Sequence, residues 1–170
     1  WFIEEADEWR DKAWGVIRVT PQHTYQILTK RPERITPNTM PEGWGDGWPN
    51  VWLGVSVENS LYEPRIQRLK EIPAATRFVS FEPIIGPLGY LGSLKGIHWA
   101  IFGGESGPDA RHCDPDWIRD GMRQCREQGV KVFVKQLGSA AGLRDSHGGD
   151  MSEWPEDLRV REFPVLEVAK

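Results

Sequence analysis

The sequence contains little cysteine: Cys113 and Cys125 are the two in 170 residues. Both fall in or beside one predicted helix, so no disulfide framework is indicated, and a reducing, cytoplasmic compartment is expected. Without a second pair of residues at ligand spacing, His112 and Cys113 do not predict a zinc site, and we expect no metal. No apolar run approaches the roughly 20 residues of a membrane-spanning helix, so no membrane association is expected.

An excess of basic charge is also lacking. The 21 lysines and arginines against 25 acidic residues give a formal net charge of -4. This balance argues against a broad nucleic-acid surface, although a local basic cleft stays open. The sequence has no G-x-G-x-x-G and no P-loop lysine, so no dinucleotide or nucleoside-triphosphate site is predicted. No Ser-His-Asp or Cys-His arrangement can be assembled, and the catalytic residues stay unassigned.

What the chain does have is a regular series of strand-length segments. Each is rich in β-branched and aromatic residues and is bounded by Gly, Pro or Asn. The spacing of about 20 to 30 residues is typical of parallel βα units. The five predicted strands are 24–30, 51–59, 77–83, 97–105 and 130–138.

Helical patterns separate several of these strands. Apolar residues at helical spacing predict helices over 3–18, 60–72 and 115–128. For the second helix we expect Asn59 as the cap and an apolar stripe that includes Leu61, and for the third Asp114 as the N-cap. Residues 31–50 and 84–96 are predicted loops. Residues 1–170 should form one α/β domain with an irregular tail over 139–170.

All five predicted strands end in polar or charged residues. Because the carboxyl ends of parallel strands lie at one edge of a sheet, we expect these side chains to meet there, in a ligand site. Alternation places a small residue below three of the charged ones, which would leave space for a ligand. The predicted ligand-binding residues are Lys30, Arg31, Ser56, Glu58, Ser80, Glu82, Gly103, Gly104, Glu105, Ser106, Arg111, Lys135 and Gln136.

Two features of this series have two interpretations each. Gly103 and Gly104 would allow either a ligand or a neighbouring backbone to approach closely. The tryptophans at 44, 48 and 52 would either stack on a base or sugar or, as we favour, pack the long loop.

Several segments carry a family resemblance. "PQHTYQILTKRPER", "NVWLGVSVEN", "RFVSFEPIIGPL", "WAIFGGESGPDAR", "DPDWIRDGMRQCREQGVKVFVKQLG" and "EWPEDLRVREFP" together resemble a bacteriophage and prophage family of unknown function, the gp-thirty-seven/gp-sixty-eight-like proteins. The resemblance runs in order over nearly the whole chain. It implies a radical-SAM-like β/α barrel of the TIM-barrel type, with S-adenosylmethionine and a [4Fe–4S] cluster in the full-length family.

The sequence departs from that pattern in two respects. With two cysteines it has no three-cysteine cluster motif, so no cofactor is expected to be bound by this stretch itself. Five βα units of an eight-unit barrel of about 250 residues would take roughly 156 residues. Together with the opening at Trp1, already within a helical pattern, this predicts a partial barrel of about five strands, the C-terminal portion of a larger one.

Two functions follow as expectations. In the first, the chain is the C-terminal part of a radical-SAM-like enzyme of unknown substrate. Its strand-end residues would then hold S-adenosylmethionine or the substrate by hydrogen bonds. In the second, it is a non-radical phage accessory module that binds a nucleotide or a nucleic-acid end, with Arg31, Arg34 and Arg111 as the basic residues.

Overall fold

The computed structural model describes residues 1–164. Within them, five strands form one parallel sheet in the order of the chain, β1-β2-β3-β4-β5. Three α-helices accompany the sheet, and short 3-10 turns occupy the loops. The strands are β1 (Tyr25–Thr29), β2 (Val51–Ser56), β3 (Thr76–Phe81), β4 (Trp99–Gly103) and β5 (Lys131–Gln136), and the helices are α1 (Arg10–Val19), α2 (Pro64–Lys70) and α3 (Pro115–Glu127).

The strand predictions are confirmed to within a few residues at each end, and the α/β class with them. The helix predictions are partly wrong. The predicted helix 3–18 is a 3-10 turn at Glu4–Ala6 followed by α1, and 60–72 is a 3-10 turn followed by α2. Leu61 is 79% exposed instead of lining the apolar stripe. It lies in the 3-10 turn, where the 3.6-residue period does not apply.

The predicted cap of α3 is confirmed, whereas Asn59 caps a 3-10 turn instead of the helix α2. The Asp114 side chain accepts a hydrogen bond from the Asp116 amide at the start of α3.

The main core lies on one face of the sheet. Buried residues of all three helices, such as Trp14, Leu69 and Met122, share a cluster with Leu53 of β2 and Phe102 of β4. A sheet whose parallel strands are added in sequence order by right-handed crossovers carries every crossover on the same face. This is the arrangement of a sheet that curls in one direction.

Between β3 and β4, an irregular segment replaces a helix on that face. Side chains of α3 hold this segment by its backbone. The Gln124 carboxamide accepts from the Leu91 amide at 2.9 Å and donates to the Gly89 carbonyl at 2.8 Å. Gln128, one turn later, makes the same pair of bonds to 94 and 92. These bonds, of which the one from the Leu91 amide is buried, satisfy backbone groups that a helix would satisfy internally.

The opposite face carries a second, aromatic cluster. Trp52, Phe78 and Trp99 are buried there, with Ile101 and Phe133 packed against them. The Trp52 and Trp99 rings meet edge to face at 5.6 Å. The charged residues at the carboxyl ends of the strands lie on this same face of the sheet.

Among residues 1–164 the sheet is not closed. Along β5, the chain at 160–162 adds antiparallel hydrogen bonds, including Val134 N to Val160 O at 2.8 Å. At the other edge, β1 pairs with β2 alone within the described part of the chain. Over 139–164 the chain forms three short 3-10 turns, at Ser139–Ala141, Met151–Glu153 and Glu156–Leu158. The last residues of the predicted tail, 165–170, lie outside the described residues. None of the helices described has the length and apolar character needed to cross a bilayer.

Candidate functional site

The charged residues predicted from the strand ends lie at the carboxyl ends of the five strands. Because all neighbouring strands pair in parallel, these ends form one edge of the sheet. We call this set the polar edge: Lys30, Glu58, Glu82, Glu105 and Lys135.

Glu58, two residues beyond β2, is the most buried member of the polar edge, at 5% exposed. One carboxylate oxygen pairs with the Lys30 ammonium beyond β1. The other accepts from the Arg65 guanidinium at 2.9 Å. Two cations therefore compensate a carboxylate that has lost most of its contact with water.

Arg65 is a site residue that the sequence interpretation missed. Its guanidinium also donates to the Ser56 carbonyl at 2.8 Å and lies 4.2 Å from the centre of the Tyr62 ring. These contacts fix the position of Glu58. The sequence did contain a signal for Arg65, because it is a basic residue in the first turn of the helix that follows the strand. That turn lies close to the carboxyl end of the strand.

The second ion pair spans three strands. Glu82, after β3, accepts from Lys135 Nζ of β5 at 2.8 Å. Its carboxylate passes over Gly103 of β4, where an added Cβ would lie 3.3 Å from it. Gln136 adds a longer contact to the same oxygen at 3.4 Å. The absence of a side chain at Gly103 therefore lets β3 and β5 interact across β4.

The third pair explains the charged residue that follows the glycines. The Arg111 guanidinium donates to both oxygens of Glu105 at 2.8 and 2.7 Å, and the Arg111 amide donates at 2.9 Å. These bonds, with a smaller attraction from Lys30, lower the pKa of Glu105 to about 2. Lys30 thus acts on two carboxylates, Glu58 and Glu105, and links the two parts of the polar edge electrostatically.

The smaller predicted residues take structural positions below these charges. Ser56 and Ser80 are 3% and 2% exposed and face each other across β2 and β3. At Gly104 an added Cβ would lie 2.2 Å from the Leu137 carbonyl oxygen. A neighbouring backbone therefore approaches Gly104 there. Ser106 accepts a hydrogen bond from the Gln136 carboxamide at 2.6 Å.

Arg31 does not join the polar edge. Its guanidinium pairs with Glu4 at 2.7 Å, and Arg34 pairs with the same carboxylate and with Asp7. The side chain of Arg31 is therefore directed to the N-terminal segment instead of to the other strand ends.

The tryptophans divide between the two faces of the sheet. Trp44 and Trp48 pack with Trp14 at 5.7 and 5.8 Å, which supports the favoured packing interpretation for the long loop. Trp52 belongs to the aromatic cluster on the other face, so the three tryptophans do not form one group.

The two cysteines lie in the interior of the described part of the chain. Both thiols are free and buried, and burial raises the pKa of each to about 12. A thiol with so high a pKa is a poor metal ligand and a poor nucleophile. Over residues 1–164, no three His, Cys, Asp or Glu side chains are grouped closely enough to hold a metal ion.

Within the site just described, four cations face three carboxylates, a balance of one positive charge. The cations are Lys30, Arg65, Arg111 and Lys135, and the carboxylates are Glu58, Glu82 and Glu105. Lys30, Lys135 and Arg111 keep more than half of their side-chain surface exposed. Such an array can donate to an anionic group and accept from a cationic one at neighbouring positions. Ligand binding by these residues stays a prediction.

Comparison with known proteins places this arrangement in a family without a known activity. The model of a family described as "Protein of unknown function (DUF5131)" matches residues 1–154, which include every member of the polar edge. Neither the curated proteins nor the solved structures give a match.

Proposed function

The chain belongs to the DUF5131 family, and from its site we propose that it forms part of a curved β/α barrel whose polar edge binds a small polar molecule. The observation that carries the proposal is Glu58, a carboxylate at 5% exposure held between Lys30 and Arg65. Burying a charge costs free energy that a solvated surface residue would not have to overcome. A ligand that binds this carboxylate or its cations would give the buried charge a function.

The order of the strands supports the barrel. Helices on one face and an aromatic layer on the other are typical of barrel walls, in which the inner face is filled by side chains and the carboxyl ends carry the ligand site. Residues 1–164 would then form one domain of such a barrel. The aromatic cluster of Trp52, Phe78 and Trp99 would fill the inner face below the site.

The radical-SAM and phage affiliations rest on the sequence resemblance. The residues of this chain do not fit a [4Fe–4S] cluster, since the sequence has two cysteines, both buried thiols with raised pKa values, and a cluster is held by several closely grouped Cys thiolates. We therefore derive no step through a cluster. The polar edge does fit S-adenosylmethionine as a ligand, because its carboxylates can accept from an ammonium group and its cations can donate to a carboxylate.

In this proposal the chain's own residues bind and orient the ligand. Lys30 and Lys135, at opposite ends of the sheet, supply exposed ammonium groups. Arg65 is a positioning residue, since its bonds to Ser56 O and Glu58 fix the carboxylate. The two free buried thiols support a reducing, cytoplasmic location.

The test is calorimetric titration of the protein with S-adenosylmethionine. Saturable binding is expected, and Glu58→Gln or Lys135→Met should weaken it about ten-fold, the effect of losing one charged hydrogen bond. Lys131→Met is the matched control, because Lys131 lies on the same strand and face, four residues from Lys135. No binding, or equal weakening by the control, would contradict the proposal.

The alternative is a nucleotide- or nucleic-acid-binding module. Arg111 and Lys30 remain exposed enough to contact a phosphate. Arg31 and Arg34 are already paired with acidic residues, which weakens this alternative. Salt-dependent binding of an oligonucleotide that is lost in Arg111→Ala, without S-adenosylmethionine binding, would favour it.

A further inference from the structure

A cavity lies away from the polar edge, between the long loop 31–50 and the end of α2. Its volume is about 440 Å³, within the range of small-molecule sites. The helix of a βαβ unit runs antiparallel to the strands, so its end lies near the amino ends of the strands, opposite the polar edge. The apolar walls are formed by Pro37, Met40, Pro41, Trp44, Ile72 and Pro73.

The walls of this cavity are fixed by contacts outside it. Trp44 Nε1 donates to the Pro73 carbonyl at 2.8 Å, which joins the loop to the residue after α2. On its other side the Trp44 ring packs on Trp14 at 5.7 Å. At Gly47 an added Cβ would lie 2.4 Å from the Ala75 amide nitrogen, so the loop backbone lies directly on the start of β3. The cavity is therefore preformed, which lowers the entropic cost of binding a ligand.

One end of the cavity is polar. Arg68, in the last turn of α2, and Glu71, the residue that follows α2, form an ion pair there. About half of each side chain is exposed. A guanidinium has five N–H donors in a planar fork, and among the described residues Arg68 uses one of its nitrogens, Nη1, to donate to the Glu71 carboxylate. Arg68 therefore keeps donors that can bind an anionic group of a ligand without breaking the pair.

We propose that this cavity binds a small aromatic anion. The indole of Trp44, the proline rings and the Met40 thioether offer flat, polarisable surfaces that suit an aromatic ring. Arg68 supplies a permanent positive charge at one end. The proposal uses none of the residues of the polar edge, so its failure and that of the proposed function are separate results.

The probe is 1-anilinonaphthalene-8-sulfonate, whose fluorescence rises in an apolar site. Titration of the folded protein should give one saturable site with a dissociation constant on the order of 10–100 µM. Arg68→Met should weaken binding about five-fold, the effect of losing a partly exposed charge pair. Glu71→Gln should tighten it about two-fold, because a repulsive carboxylate is removed. Met40→Trp should abolish binding by filling the cavity.

Two controls test the position and the charge. Arg123→Met and Glu127→Gln remove a comparable ion pair on α3, beside a different cavity of about 400 Å³, and should leave binding unchanged. N-phenyl-1-naphthylamine, which lacks the sulfonate, should be insensitive to Arg68→Met. The absence of saturable binding, equal losses in the α3 variants, or weakening by Glu71→Gln would overturn the proposal.

Discussion

Replacing Gln124 with methionine should destabilise the protein, although Gln124 belongs neither to the polar edge nor to the cavity beside Arg68. Gln124 is 6% exposed, and its carboxamide supplies the hydrogen bonds of the Leu91 amide and the Gly89 carbonyl at 2.9 and 2.8 Å. Methionine has a similar length and helix propensity. The variant therefore changes hydrogen bonding more than packing.

The expected loss is about 1–3 kcal/mol in the free energy of unfolding, since the bond to the Leu91 amide is buried and a buried backbone group left without a partner costs that much. For a chain of this size, that corresponds to a fall in Tm of about 2–12 °C. The matched control is Gln128→Met, which removes the same pair of bonds one turn later. Gln128 is exposed, its bond to the Gly92 carbonyl is exposed and its bond from the Leu94 amide is part-buried. Water can therefore replace these bonds more easily than those of Gln124, and the loss should stay at about 0.5–1.5 kcal/mol.

The measurements are urea unfolding followed by circular dichroism, and calorimetry for the Tm. Equal losses in the two variants, or a larger loss for Gln128→Met, would refute the argument, because burial of the unsatisfied groups would then not determine the cost. An unchanged slope of the free energy against urea would confirm that the denatured state is the same in both variants.

Three further outcomes follow from single contacts. Gly104→Ala should lower the urea midpoint, because the added Cβ would meet the Leu137 carbonyl at 2.2 Å. The expected loss in the free energy of unfolding is about 1–3 kcal/mol or more, and an unchanged midpoint would contradict this close approach. The pKa of Glu105 is lowered from 4.5 to about 2 by its bonds from Arg111. The contribution of this pair to stability is therefore complete above pH 4.5 and is lost as the pH falls through 2. In Arg111→Ala, carbon NMR should show the pKa of Glu105 returning toward 4.5, and a value still near 2 would assign the shift to another group. The Cys125 thiol, with its pKa raised to about 12 by burial, should react with a disulfide reagent at pH 8 only after unfolding; fast reaction of the native protein would show that the thiol is accessible.

The sequence was sufficient for the strands and for the position of the charges. Strand-length runs bounded by glycine, proline or asparagine identified all five strands, and the position of Glu58, two residues beyond β2, followed from alternation. Both signals are local. The helix ends were less predictable, because the 3-10 turns at Glu4–Ala6 and Ser60–Tyr62 have the composition of helix but end after three residues.

The sequence by itself determined five strands, their alternating faces and the polar residues at their carboxyl ends, since each depends on neighbours within a few positions. Only the tertiary structure decided which charge each residue meets: Arg65 joins Glu58 on one side, and Lys135 reaches Glu82 over Gly103 from 53 residues away. It also decided that a glutamine of α3 satisfies the backbone of the segment before β4. The contacts of Lys135 with Glu82 and of Gln124 with Leu91 join residues that no local period relates, so they exist only once the sheet has formed.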